Sequence, residues 1–174
     1  MNQNSKNIKY LLLIATLSVV GFYVGSWFSK VIGNAGAGVK IESFTLMERD
    51  LHPYVFPQKD ENYRVVHFWA NWCPPCVEEL KEVIQLASYL SEHSIRLILI
   101  STDPSWEEAN KLLPIEIHPN IIALLDPQAS IAKKFGTYQF PETYLVSSNG
   151  EVVKKWVGPQ KWNSEDLRKQ LLLK

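Results

Sequence analysis

Between Arg64 and Ser88 the chain reads RVVHFWANWCPPCVEELKEVIQLAS. Arg64–Ala70 is a strand-length run dominated by valine and aromatic residues, the composition of a pleated, buried segment. From Pro74 to Ser91 the period changes, and Cys76, Leu80, Val83, Ile84 and Ala87 recur at the spacing of one helical face. A strand that passes straight into a helix, with Asn71-Trp72-Cys73-Pro74-Pro75-Cys76 at the junction, is the building unit of an α/β sheet.

The chain has only two cysteines, and both sit at that junction, three residues apart. A thiol at a helix amino terminus faces unpaired N–H groups and the positive end of the helix dipole, which favour the thiolate. Pro75 is tolerated there because a first-turn N–H has no helical partner to lose. Cys73, the outer thiol, is then the attacking group, and Cys76, one turn inside, resolves the mixed disulfide. Other uses of the pair fit poorly. A zinc site needs two more ligands, and the four histidines are scattered singly at 52, 67, 93 and 118. Covalent haem attachment needs a histidine after the second cysteine, where this chain has Val77. A structural disulfide closing so short a loop would constrain little of the unfolded chain.

Glu79 stands one turn beyond Cys76, near the apolar stripe, while Glu78, Lys81, Glu82 and Gln85 fall on the wetter side. Held there, its carboxyl would be raised in pKa by desolvation and could take the proton from Cys76 as that thiol attacks. An ordinary solvated helix glutamate accounts for the residue equally well.

Outward from this unit the apolar runs are short and separated by turn residues. Ile95–Ser101 is a continuous apolar run, as in a strand buried on both faces. Ser105 with Glu108 forms a capping-box signature, and Pro114 bounds the helix that follows. Ile121–Leu125 reads as a strand, Gln128 to Phe135 as a short helix stopped by Gly136. Thr143–Ser147 and Glu151–Val157 flank Asn149-Gly150, a strong hairpin signal. A last helix runs from about Ser164 to Leu173. Weaker strands are expected at Ile41–Leu46 and Tyr54–Phe56. Together these predict one α/β domain over residues 41–174, with a mixed sheet flanked by helices. That segment has 14 basic and 18 acidic residues, a formal charge of −4. It has no electrostatic footprint for nucleic acid.

The amino-terminal part differs. Residues 1–40 carry four lysines and no acid, and Tyr10–Phe28 (YLLLIATLSVVGFYVGSWF) is uncharged. As a helix it would span ~28 Å, close to the ~30 Å hydrocarbon core of a bilayer. Lys6 and Lys9 on the amino-terminal side argue for that end inside. The expected division is a cytoplasmic segment 1–9, a transmembrane anchor 10–29, a linker 30–40 and the domain 41–174. A cleaved signal peptide and a buried core helix are the competing readings. The apolar run is longer than a signal peptide needs, and it has no polar face.

FWANWCPPCVEEL, followed by Phe140-Pro141-Glu142-Thr143-Tyr144-Leu145-Val146, resembles the TlpA-like group of thioredoxin-fold proteins over roughly residues 41–160. These are membrane-anchored, extracytoplasmic thiol–disulfide reductases, including those serving cytochrome c maturation. The resemblance implies a thioredoxin-like fold, with Cys73 as nucleophile, Cys76 as resolving thiol and Glu79 as the acid this group places three residues after the second cysteine. It also implies that Pro141 is the cis-proline facing the disulfide, with the Phe140 backbone exposed beside Cys73 for pairing with a client strand. Three positions depart from the group. His67 replaces a buried aspartate or asparagine, and reads either as a proton relay near neutral pH or as a satisfied core residue. Lys81 replaces a helix-kinking proline. Pro74 and Pro75 fill both positions inside the motif. Neither can donate an N–H to a Cys73 thiolate, which favours a reductant over an oxidant.

The expected activity is therefore extracytoplasmic disulfide reduction at a bacterial inner membrane, by a single-pass protein, with no organic cofactor or metal. Its partners would be an exported thiol or disulfide client protein and a membrane electron donor that re-reduces the pair. Trp72, Phe140 and Tyr138 would read the client, or simply fill the turn. A thiol oxidase or isomerase using the same cysteines is the nearest alternative. A non-catalytic thioredoxin-fold binding module is a more distant one.

Overall fold

Successive side chains of a strand reach opposite faces of its sheet, so a strand buried on both faces needs a helical layer on each. β3 (Tyr63–Trp69) is such a strand: all but its first residue are buried. In the computed structural model, which describes residues 16, 38–58, 60 and 62–172, β3 lies inside a seven-stranded mixed sheet. It pairs in parallel with β4 (Ile95–Ser101), from Tyr63 opposite Ile95 to Trp69 opposite Ser101. On its other side it runs antiparallel to β6 (Glu142–Val146), with His67 opposite Thr143. The remaining strands are β1 (Phe44–Glu48), β2 (Pro53–Phe56), β5 (Ile121–Leu125) and β7 (Val152–Val157), in the order β2-β1-β5-β4-β3-β6-β7.

Helix α1 (Pro74–Glu92) is one uninterrupted helix of 19 residues. It packs with Val65, Trp69, Leu97, Leu99 and Leu145 on one face of the sheet, joined there by Trp162 and by Leu167 and Leu171 of α4 (Glu165–Leu172). The opposite face holds Val66, Phe68, Ile98, Ile100 and Tyr144 against Phe44, Phe56 and Phe135, beside α3 (Ser130–Lys134). Alternation along β3 thus sends His67, with Val65 and Trp69, toward α1.

Three local expectations shift, each for a visible reason. β1 starts at Phe44 and not Ile41, because Lys40 bridges to Glu151 and the Ile41 N–H donates to the Gly150 carbonyl, 2.9 Å away. That close approach, and a φ of +86° at Gly150, explain the glycine: a Cβ would meet the Ile41 oxygen at 3.3 Å. The helix capped by Ser105, α2, is only Trp106–Ala109. The Glu108 carbonyl accepts from the Asn71 amide at 3.2 Å and from the Lys111 N–H, so the chain tightens into turns before Pro114. On α1 the buried stripe runs through Leu86 and Leu90, and Ile84 is only half-buried.

Contacts divide the chain into Met1–Ala35 and Gly36–Lys174, and the fold above is that of the second unit. The expected span 10–29 lies outside the described residues apart from Thr16. Among the described residues no helix is long and apolar enough to cross a membrane.

Candidate active site: a disulfide at the head of a helix

Cys73 is the N-cap of α1, with Pro74 and Pro75 in the first turn. Its sulfur is bonded to that of Cys76. The Cys76 N–H donates to the Cys73 sulfur at 3.3 Å and to the Cys73 carbonyl at 3.0 Å. Cys73 keeps 5% of its surface exposed and Cys76 none, so only Cys73 can meet another protein's disulfide first. The preceding turn is braced from below: the Asn71 N–H donates to both oxygens of the buried Asp103, at 3.0 and 3.1 Å.

One turn into α1, Glu79 is 5% exposed. Its Oε2 accepts from the Gln160 N–H at 2.7 Å and from the Trp162 indole N–H at 3.0 Å. Its Oε1 has no hydrogen-bond partner among the described residues and faces His67 Nε2 at 3.7 Å. On the far side of the imidazole, Nδ1 lies 2.8 Å from Thr143 Oγ1. Burial pushes the Glu79 carboxyl up to about 7, against the pull of the two donors on Oε2. Burial alone drives His67 down to about 3. The contact is therefore not an ion pair near pH 6, since both groups are then neutral. Nor is it a hydrogen bond at that length.

The loop before β6 closes the other side of the site. The Phe140–Pro141 bond is cis. The Phe140 ring meets Trp72 edge-on at 5.6 Å, which brings this loop against the cysteine turn. Trp72, next to Cys73, is 60% exposed, and Tyr138, two residues before Phe140 in the same loop, is 68% exposed.

Residues 36–171 match the Redoxin family. The chain belongs to it. This redoxin is 34% identical over 104 residues to the thiol:disulfide interchange protein DsbE of Allochromatium vinosum, an alignment covering 58% of this chain and 56% of that one. It is 24% identical over 162 residues to the thiol-disulfide oxidoreductase ResA of Bacillus cereus, covering 92% of each chain. Thus the chain spans little more than half of the first relative and nearly all of the second. Its fold matches the crystal structure of a Chlorobium tepidum candidate thiol:disulfide interchange protein DsbE, with a TM-score of 0.68 and 23% identity over 78% of this chain and 95% of that one. The thioredoxin-like sheet and the likeness to the TlpA-like group expected from FWANWCPPCVEEL both hold. The bonded Cys73–Cys76 pair is the candidate redox centre of this redoxin.

The partners of Glu79 and His67 could not be read from the sequence. Gln160, Trp162 and Thr143 lie 81, 83 and 76 residues from the groups they touch. Trp162 is fully buried, and its ring also stands edge-on to His67 at 6.3 Å. A tryptophan beyond the last strand gives no local signal of such a role.

Proposed function

We propose that this redoxin is a membrane-anchored, extracytoplasmic disulfide reductase of exported client proteins, cytochrome c maturation among its candidate uses. The observation that carries the reading is a Cys73–Cys76 pair of which only Cys73 is exposed, with a buried carboxyl of raised pKa one turn further along the same helix. In the reduced protein the Cys73 thiolate attacks a client disulfide, and the displaced client sulfur leaves as a thiolate. Cys76 then gives its proton to Glu79 and attacks the Cys73 sulfur. The second client sulfur leaves, and the client has gained two electrons while the pair has become a disulfide. A membrane dithiol protein returns those electrons, because an oxidising compartment offers no bulk reductant. The uncharged run at residues 10–28 supports the anchor, and the lysines before it support an extracytoplasmic domain.

His67 fits as a neutral relay for Glu79. Since Oε2 already accepts two N–H groups, the proton of neutral Glu79 belongs on Oε1, facing His67 Nε2. In that state His67 carries its own proton on Nδ1 and donates to the Thr143 hydroxyl. When Glu79 is ionised the other tautomer presents Nε2–H to it and accepts from Thr143, whose hydroxyl serves both ways. The Phe140 segment beside Trp72, which leads into β6, is placed for pairing with a client strand.

The reduction potential tests the direction. The prolines at both first-turn positions leave the Cys76 N–H as the donor to Cys73 sulfur, so the thiolate gains little stabilisation. The reduced pair should therefore be a good donor, with a potential near the roughly −270 mV of thioredoxin. Equilibration with a thiol–disulfide buffer, followed by Trp72 fluorescence, measures it. A value near the roughly −120 mV of a strong oxidant would make the protein a thiol oxidase instead.

A further inference from the structure

A second buried cluster lies on the opposite face of the sheet from His67, and the redox chemistry does not use it. Glu142 follows Pro141 and is fully buried, and its Oε2 accepts from the Tyr144 hydroxyl at 2.6 Å and from Lys155 Nζ at 2.9 Å. Lys155, on β7 directly opposite Tyr144, is itself 7% exposed. Its ammonium also donates to the Gly136 carbonyl at 3.2 Å and lies 4.6 Å from the centre of the Tyr138 ring. The Thr137 and Tyr144 hydroxyls are 3.0 Å apart.

Four attachments thus converge on one short stretch. Gly136, Thr137 and Tyr138 are held on one side of Gln139-Phe140-Pro141 and Glu142 on the other. A buried lysine–glutamate pair adds little net stability, because desolvation offsets its attraction. What this one does visibly is tie both ends of the loop carrying Phe140 to strands β6 and β7. We propose that Lys155, through Glu142 and Tyr144, is the positioning residue that sets the 136–140 loop for a polypeptide client. This rests on the reductase reading above. A small disulfide needs only the Cys73 sulfur, whereas a polypeptide must also align its backbone along Phe140, so misplacing the loop should penalise the second selectively.

The test compares two disulfides on the full reduced chain, insulin as the polypeptide and hydroxyethyl disulfide as the small probe, with rates followed by Trp72 fluorescence. In a Lys155→Met, Glu142→Gln double variant, which removes both buried charges together, the ratio of the insulin rate to the hydroxyethyl disulfide rate should fall on the order of tenfold. Lys155→Arg, which keeps a cation for Glu142 and Gly136, should restore most of it. Tyr144→Phe removes only the shared hydroxyl. It should lower the ratio in the same direction, and it serves should the double variant not fold. A ratio that stays at the wild-type value, or two rates that fall in proportion, overturns the positioning role alone. A wild-type chain that reduces hydroxyethyl disulfide but not insulin overturns the polypeptide-reductase reading, and this inference with it.

Discussion

A Cys76→Ser chain should accumulate as a covalent mixed disulfide with its client, while Cys73→Ser should capture nothing and lose exchange activity by on the order of a thousandfold or more. The asymmetry follows from exposure and from the order of steps. Cys73 has the only accessible sulfur of the pair, so the first bond to a client must form there. The client stays attached until a second nucleophile attacks Cys73 from within. Cys76 is fully buried one turn along the same helix, and a serine hydroxyl in its place is far too weakly acidic to supply that nucleophile. The mixed disulfide then has no intramolecular exit. Expressing each variant as the full chain in its native host and separating non-reduced samples by mass reads the result directly. A trap on Cys73→Ser with none on Cys76→Ser would reverse the two roles. No trap on either, with function retained in Cys73→Ser, would make the protein a binding module that keeps the fold without its chemistry.

The strand–turn–helix unit was legible because it is local: composition places β3, period places α1, and a cysteine pair at their junction has few other uses. β4 was equally plain, since Ile95–Ser101 carries its burial on both faces in its own composition. The misplaced elements were those whose hydrogen bonds close at a distance. Ile41 looks like a strand residue until its N–H is drawn to Gly150, and Ser105 caps a helix that Asn71 helps to cut short by occupying the Glu108 carbonyl. The site divides in the same way. Spacing alone left Glu79 between a solvated and a buried role. What settles its burial is a loop beyond β7 that delivers Gln160 and Trp162 to Oε2. His67 could be suspected from its place in a buried strand, but Thr143 becomes its partner only through the antiparallel register of β3 and β6. The Glu142–Lys155 pair has the same origin, being a consequence of β6–β7 register with no motif of its own.

Glu79→Gln should slow the enzyme and stabilise it at once, and the pH dependence of each effect identifies the carboxyl. Glutamine can keep an oxygen toward Gln160 and Trp162 but cannot accept the Cys76 proton. Release of client from the mixed disulfide should therefore slow on the order of a hundredfold near pH 7, the scale of a lost general base. The stability change has the opposite sign. Glu79 titrates at about 7 when folded against a reference of 4.5, so the folded chain holds this proton more tightly than the unfolded one. Its contribution to stability is full below pH 4.5 and is lost as pH rises to about 7. The variant escapes that loss. Its advantage over wild type should grow by about 1.4 kcal/mol per pH unit across this window, to about 3 kcal/mol above it. His67 works against Glu79: held at about 3 against a reference of 6.5, it contributes stability that is present above 6.5 and lost as pH falls toward 3. Between pH 4.5 and 6.5 the two slopes cancel in the wild type. In Glu79→Gln only the histidine slope survives, and stability should climb with pH through the same range. Urea unfolding of the oxidised chain at a series of pH values measures both curves. Parallel curves would show that Glu79 titrates alike in the folded and unfolded chain, and would remove the raised pKa that suits it to take the proton from Cys76 near pH 7.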